Sequence, residues 1–67
     1  MGMRLKLNGK ERDVENAATV EELVAGLGIH RMIVVEHNGV ILPREQYATS
    51  RLSDGDVLEI VHMVGGG

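Results

Sequence analysis

Two Asn-Gly pairs, Asn8-Gly9 and Asn38-Gly39, restrict the folds open to this 67-residue chain more than any other feature. Asn-Gly is the preferred pair for a two-residue hairpin turn, because both residues tolerate the positive φ that this turn requires. Short segments of alternating or continuous apolar residues flank each pair, as expected for strands. The sequence therefore predicts two β-hairpins. Their strands are expected at residues 3–7, 10–14, 32–35 and 40–42.

A short helix is predicted between the two hairpins. Thr19 and Glu22 have the spacing of a capping box, in which the Glu22 carboxylate accepts a hydrogen bond from the backbone N–H of Thr19. An apolar stripe at helical spacing follows, and Gly28 lies where helices commonly end in a left-handed residue. The stripe consists of Val20, Leu23, Val24 and Leu27. We expect this helix of about two turns to depend on packing against a sheet, because isolated helices this short are marginal.

The last predicted strand covers residues 57–64, after a turn cluster at residues 53–56. Its apolar side chains fall on both faces, so we place it inside the sheet, with both faces partly covered or with one face against a partner. One face carries Leu58 and Ile60, and the other carries Val57, Val61 and Met63. The β-branched run at residues 32–35 likewise predicts a strand buried on both faces or nearly so.

Five strands in one mixed sheet and one main helix predict a two-layer α+β domain over residues 1–64. Residues 65–67 are predicted to form a flexible glycine tail. Phe and Trp are absent, so the core must be aliphatic. Tyr47, the single aromatic residue, is expected to pack in the core or at its rim.

Composition excludes several classes of function. The formal net charge is −3, without a basic stripe or aromatic platforms, which argues against a nucleic-acid partner. No apolar run approaches the ~20 residues of a membrane span, so no membrane association is expected. Cysteine is absent, which removes disulfides and thiolate chemistry. We expect a soluble, cytoplasmic protein.

The chain itself offers little for catalysis or metal binding. Hydroxyl-bearing residues are present, but the sequence does not place a Ser-His-acid set together. His30, His37 and His62 lack the spacing of metal ligands, so no metal site is predicted. Asp54 and Asp56 around Gly55 are read as a turn, since the other ligands of a calcium loop are missing. No catalytic residue and no bound cofactor are therefore expected.

The glycine tail is the strongest pointer to function. Glycine adds nothing to a core, but a run without side chains can enter a narrow cleft and carry the ionised terminal carboxylate of Gly67 into it. The strand before the tail ends in more apolar residues than one buried face needs. We expect Val61, Met63 and Val64 to be the anchors through which the domain docks on its partners.

The order of elements resembles the ubiquitin-like β-grasp fold, and the local sequence resembles the ThiS family of sulfur carriers over essentially the whole chain. The resemblance depends on the order and spacing of several short pieces. They are Leu7-Asn8-Gly9, Val35-Glu36-His37-Asn38-Gly39, Pro43-Arg44-Glu45-Gln46-Tyr47, Asp54-Gly55-Asp56-Val57-Leu58-Glu59-Ile60-Val61 and Val64-Gly65-Gly66-Gly67.

The resemblance implies a carrier and not an enzyme. A ThiF-like adenylating enzyme would use ATP and Mg to convert the Gly67 carboxylate to an acyl-adenylate, and the sulfur of a persulfide donor would then replace AMP. The thiocarboxylate would supply sulfur to a ThiG-like thiazole synthase for the thiazole ring of thiamin. Gly66 and Gly67 match the diglycine of the family, whereas Gly65 is an additional glycine that we do not expect to be essential.

Two other interpretations stay open from sequence. A MoaD-like small subunit of molybdopterin synthase shares the fold, the tail and the thiocarboxylate, but hands its sulfur to a pterin precursor. The absence of Phe and the segment at residues 43–46 favour the thiazole branch. A β-grasp interaction module or protein modifier would instead use the tail for isopeptide bonds, or not at all.

Overall fold

Five strands, one α-helix and one 3₁₀ turn make up the fold. The computed structural model describes residues 2–29 and 32–62. Its strands are β1 (Met3–Leu7), β2 (Lys10–Val14), β3 (Ile33–His37), β4 (Val40–Leu42) and β5 (Val57–His62). Helix α1 (Val20–Gly26) joins the two hairpins, and the 3₁₀ turn (Arg44–Gln46) follows β4.

The strands form a single mixed sheet in the order β2-β1-β5-β3-β4. Strand β5 occupies the centre, parallel to β1 and antiparallel to β3, and the two hairpins flank it with antiparallel pairs. The predicted α+β architecture, a five-stranded mixed sheet with one main helix, is confirmed. The interior position of the last strand is confirmed as well.

Both Asn-Gly turns have the predicted backbone. Asn8 and Asn38 have φ values of 49° and 52°, and the glycine that follows each has a φ of 82° or 83°. These left-handed conformations are tolerated by Asn and Gly far better than by other residues. The charged strand β2 lies at one edge of the sheet, as its composition predicts, and charge at an edge opposes pairing with other chains.

The helix cap differs from the prediction in one bond. The hydroxyl of Thr19 accepts from the Glu22 backbone N–H at 3.2 Å, as expected of a capping residue. The Glu22 carboxylate, however, accepts from the backbone N–H of Ala18 at 2.7 Å, one residue before the predicted donor. Thr19 is extended (φ −130°, ψ 163°) and forms an isolated bridge with Arg51. This bridge joins the start of α1 to the segment at residues 43–56 between β4 and β5, called the crossover below. Gly28 is left-handed, as predicted, with a φ of 71°.

The core lies between α1 and one face of the sheet. Its described members are Leu5, Leu7, Val20, Leu23, Val35, Tyr47, Leu52, Leu58 and Ile60. Tyr47 is buried, as predicted. All of these side chains lie on the side of the sheet that α1 covers, because a single helix can cover only one face of a sheet.

Strand β3 is therefore not buried on both faces, and that prediction is wrong. Val35 is fully buried, but Ile33 and Val34 are half-buried, and Met32 precedes the strand and is 71% exposed. The β-branched run reflects strand propensity and not burial on two sides. The predicted last strand is correct up to His62, while Met63 and Val64 lie outside the described residues.

The sheet face that α1 does not cover is called the open face below. Strand alternation and register assign its side chains, because residues paired across strands lie on the same face. They are Arg4 and Lys6 of β1, Glu11 and Asp13 of β2, Val34 and Glu36 of β3, Ile41 of β4, and Val57, Glu59 and Val61 of β5. Within residues 2–29 and 32–62, no helix has the length and apolar character needed to cross a bilayer.

Candidate functional site

The predicted site residues fall into two groups. Val61 lies on the open face near the end of β5 and is 57% exposed. The other predicted site residues lie outside the described residues; they are Met63, Val64, Gly65, Gly66 and Gly67. The described part of the site is β5, whose last paired residue is His62, opposite Ile33 of β3.

Strand β5, which precedes the predicted tail, is the central strand of the sheet. Strand β5 alternates from Val57 to Val61, with Leu58 and Ile60 buried in the core and Val57, Glu59 and Val61 exposed on the open face. Strand β5 pairs with β1 at residues 57–58 and with β3 at residues 58–62. The chain continues toward Gly67 from the end that is paired with β3.

The two hairpin-turn asparagines also hold β5 by their side chains. The Asn8 amide donates to the Ile60 carbonyl at 3.2 Å and accepts from the Ile60 N–H at 2.7 Å. The Asn38 side-chain oxygen accepts from the Val57 N–H at 2.8 Å, and the Asn38 backbone N–H donates to the Val57 carbonyl at 2.8 Å. The sequence predicts the two turns but not this second role of the asparagines, because partners 19 and 52 residues apart leave no local pattern.

A half-buried cluster of Ser50, His37 and Asp56 lies at the other end of β5. His37 Nδ1 is 3.1 Å from the Ser50 hydroxyl oxygen, and His37 Nε2 is 2.7 Å from Asp56 Oδ2. Asp56 also accepts from the Asn38 amide at 3.1 Å and from the Ser53 N–H at 2.9 Å. The structure thus brings together a Ser-His-acid set that the sequence did not place.

The contacts of this cluster are those of a structural hydrogen-bond network that joins elements, and not those of a site that activates a nucleophile. An activated serine needs a cleft for its substrate and donors for the developing oxyanion. Four clefts of the described residues lie between α1 and β2, between α1 and β3, beside β1 and at the turn between β1 and β2, and none of these four is lined by Ser50, His37 or Asp56. The three side chains instead join the end of β3, the crossover and the turn before β5.

The charge state of Asp56 follows from these contacts. Burial raises the pKa of its carboxyl, whereas the hydrogen bonds from His37, Asn38 and the Ser53 N–H lower that pKa. The hydrogen bonds outweigh burial, so the pKa of Asp56 lies below its ordinary value. Asp56 is therefore an ionised acceptor at neutral pH. Among residues 2–29 and 32–62, no three His, Asp or Glu side chains converge as metal ligands would.

Comparison with known proteins places these features in a family context. The ThiS family model matches residues 5–67. The chain is 40% identical over 65 residues to the sulfur carrier protein ThiS of Bacillus subtilis (strain 168), a match that covers 94% of this chain and 98% of that protein. A crystal structure of the thiamine biosynthesis protein ThiS from Geobacter metallireducens is 36% identical, with a TM-score of 0.83 over 97% of this chain and 100% of that one.

A second kind of relative is much longer. The chain is 46% identical over 66 residues to a thiazole synthase of Paramagnetospirillum magneticum (strain ATCC 700264 / AMB-1). This match covers 97% of the chain but 20% of the thiazole synthase. The chain therefore spans about a fifth of the length of that relative, which contains a region similar to this whole domain.

Proposed function

This chain belongs to the ThiS family, and we propose that it is a sulfur carrier whose Gly67 carboxylate is converted to a thiocarboxylate that donates sulfur for the thiazole ring of thiamin. The observation that carries the proposal is the match through residue 67 to the family model, together with 98% coverage of a sulfur carrier protein. The relatives that bear thiazole synthase names support the thiazole branch over the molybdopterin branch.

The chemistry assigns most of the work to partners. A carboxylate is a poor acyl donor, so a ThiF-like enzyme transfers AMP from ATP to the Gly67 carboxylate and releases pyrophosphate, with Mg bound by that enzyme and its nucleotide. The outer sulfur of a persulfide donor then attacks the acyl carbon and AMP leaves, which gives an acyl disulfide. A thiol attacks the donor's sulfur in this S–S bond, so the thiocarboxylate is released and a disulfide forms between the thiol and the donor. A water-excluding site protects the acyl-adenylate from hydrolysis. Residues 65–67, which have no side chains, suit entry into such a site.

The domain contributes a docking surface in this proposal. Val61 stands exposed on the open face, and Met63 and Val64 follow it along the chain. Exposed apolar residues next to one another mark partner surfaces on small domains. The same surface would serve the adenylating enzyme and a ThiG-like thiazole synthase in turn, and the adaptable thioether of Met63 suits two partners.

Mass spectrometry of the intact protein tests the function. After incubation with the cognate adenylating enzyme, a persulfide donor, Mg-ATP and a small thiol, we expect the mass gain of one oxygen replaced by one sulfur, located on Gly67 by fragmentation. A control without ATP keeps the original mass. Unchanged mass in the full reaction, or conjugates to lysines of other proteins, would contradict the proposal and favour a protein modifier.

A further inference from the structure

Two like-charged residues face each other at the middle of the open face. Glu36 of β3 pairs directly with Glu59 of β5 in the antiparallel register. Directly opposed side chains in such a pair have Cβ atoms about 5 Å apart, and like charges at that separation are destabilising. Glu36 is half-buried and Glu59 is exposed. Within the described part of the chain, neither carboxylate belongs to an ion pair.

The rest of the open face does not share this arrangement. On the β1–β2 side, Lys6 is opposite Glu11, and Arg4 is opposite Asp13 with 3.1 Å between Arg4 Nε and Asp13 Oδ1. These pairs are complementary, as the isolated fold would favour. The Glu36–Glu59 pair therefore opposes the stability of the free domain.

Apolar side chains lie next to the two carboxylates along β3, β4 and β5. Ile41 is opposite Glu36 on β4 and is 65% exposed, and Val34 is opposite Val61 one step further along β3 and β5. Val57 lies on the other side of Glu59 and is 42% exposed, and Lys6 of β1 is opposite Val57. A protein that covered these residues would also remove both carboxylates from water, which is costly unless it supplies a positive charge.

We propose that this part of the open face docks the thiazole synthase, an inference that rests on the proposed function. A cationic side chain of that enzyme, best an arginine, would bind between Glu36 and Glu59, next to the exposed apolar side chains. A guanidinium can hydrogen-bond to two carboxylates and is more weakly hydrated than an ammonium group. Arginine with apolar neighbours is also the composition favoured at the centre of protein interfaces.

The negative charge of Glu36 and Glu59 disfavours other binding partners for this part of the open face. A second copy of the chain in a symmetric pairing would bring four carboxylates together. Residues 63–67 of the chain itself carry no positive side chain. A phosphate backbone is negatively charged and would be repelled, as would an anionic lipid surface. A protein with an exposed cation is the partner that the surface fits.

The test is the affinity of the unmodified chain for the purified cognate thiazole synthase, measured by titration calorimetry at several salt concentrations. The double variant Glu36→Gln, Glu59→Gln removes both charges with little change in shape. We expect its affinity to fall roughly tenfold or more and its dependence on salt to weaken. Its urea midpoint should equal or exceed that of the wild type, because repulsion is relieved.

The matched control is Glu21→Gln, Glu45→Gln, which changes net charge by the same amount at exposed positions in α1 and the 3₁₀ turn. It should bind normally. Equal affinity of the Glu36, Glu59 variant and the wild type would overturn the inference, as would a loss of binding that follows a loss of stability, or no binding by the wild type. Conversion of Gly67 to a thiocarboxylate is measured separately, so the sulfur-carrier function can stand when this docking mode fails.

Discussion

At the scale of single residues, side chains in turns determine how β5 is held. Asn38 shapes its own turn with a positive φ, pairs with the backbone of Val57 and donates to Asp56. The half-buried Asp56 carboxylate accepts three hydrogen bonds. Charged acceptors bind donors about twice as strongly as neutral ones. The start of β5 thus depends on one ionised carboxylate.

Replacing Asp56 with Asn should reveal that dependence through pH. Because folding lowers the Asp56 pKa, its contribution to stability is present above the unfolded pKa, about 4, and is lost as pH falls through the folded value. At pH 7, we expect Asp56→Asn to lower the free energy of unfolding by about 2 kcal/mol, since an amide cannot satisfy all three donors.

Urea unfolding of both proteins at a series of pH values measures this effect. The difference between wild type and Asp56→Asn should be constant above about pH 5 and should narrow as the solution becomes more acidic. Parallel stability curves down to pH 2 would contradict an ionised Asp56 in the folded state.

At the scale of elements, β5 has two faces with separate tasks. Its covered face completes the core, where Leu58 has no exposed surface. Its open face presents Val57, Glu59 and Val61 on the side where α1 does not pack. One strand therefore connects the stability of the domain to the surface that is proposed to bind partners.

Substitutions on the two faces should separate these tasks. Leu58→Ala should lower the free energy of unfolding by about 2–5 kcal/mol, because it leaves a cavity in the core. Val61→Ala should change it by less than about 0.5 kcal/mol. Chemical denaturation measures both, and a large effect of Val61→Ala would show that its side chain completes the fold.

Binding provides the complementary measurement for Val61. Val61→Asp should stay folded and weaken binding to the adenylating enzyme and the thiazole synthase by about 2 kcal/mol, as truncation of an interface anchor does. Val40→Asp is the matched control, since Val40 is similarly exposed at 64% but pairs with His37 on the covered side. Equal loss in both variants would point to a general effect of charge and not to an anchor.

At the scale of the whole molecule, folding and chemistry occupy different parts of the chain. Every described core residue lies between Leu5 and Ile60, whereas the proposed reacting carbon belongs to Gly67. A domain of this size has little stability in reserve. The separation allows the chain's end to be modified without changing the core.

Deletion of Gly66 and Gly67 tests this separation. The shortened protein should keep its thermal midpoint within about 1 °C, since the described core ends at Ile60 and a glycine has no side chain to contribute to a core. It should fail to support ATP–pyrophosphate exchange by the cognate adenylating enzyme, because the reacting glycine is missing. Exchange at the wild-type rate would contradict activation at Gly67. Deletion of Gly65 alone serves as a comparison for the role of the third glycine.

The sequence by itself determined the local elements, the aliphatic core and the family. The Asn-Gly turns, the Thr19 cap and the alternation of Leu58 and Ile60 are short-range signals, and each was confirmed because its physical cause acts within a few residues. The family followed from the order and spacing of such pieces, and the family model confirmed it. The predicted roles of Val61, Met63 and Val64 stay predictions.

Only the tertiary structure decided which side chains meet. The strand order brings Asn8 to Ile60, His37 to Ser50 and Asp56, and Glu36 to Glu59. These contacts join residues from different elements, and a periodic pattern carries no information about such partners. The error over β3 has the same origin, because burial depends on what covers a strand. A β-branched run reports only that a strand forms.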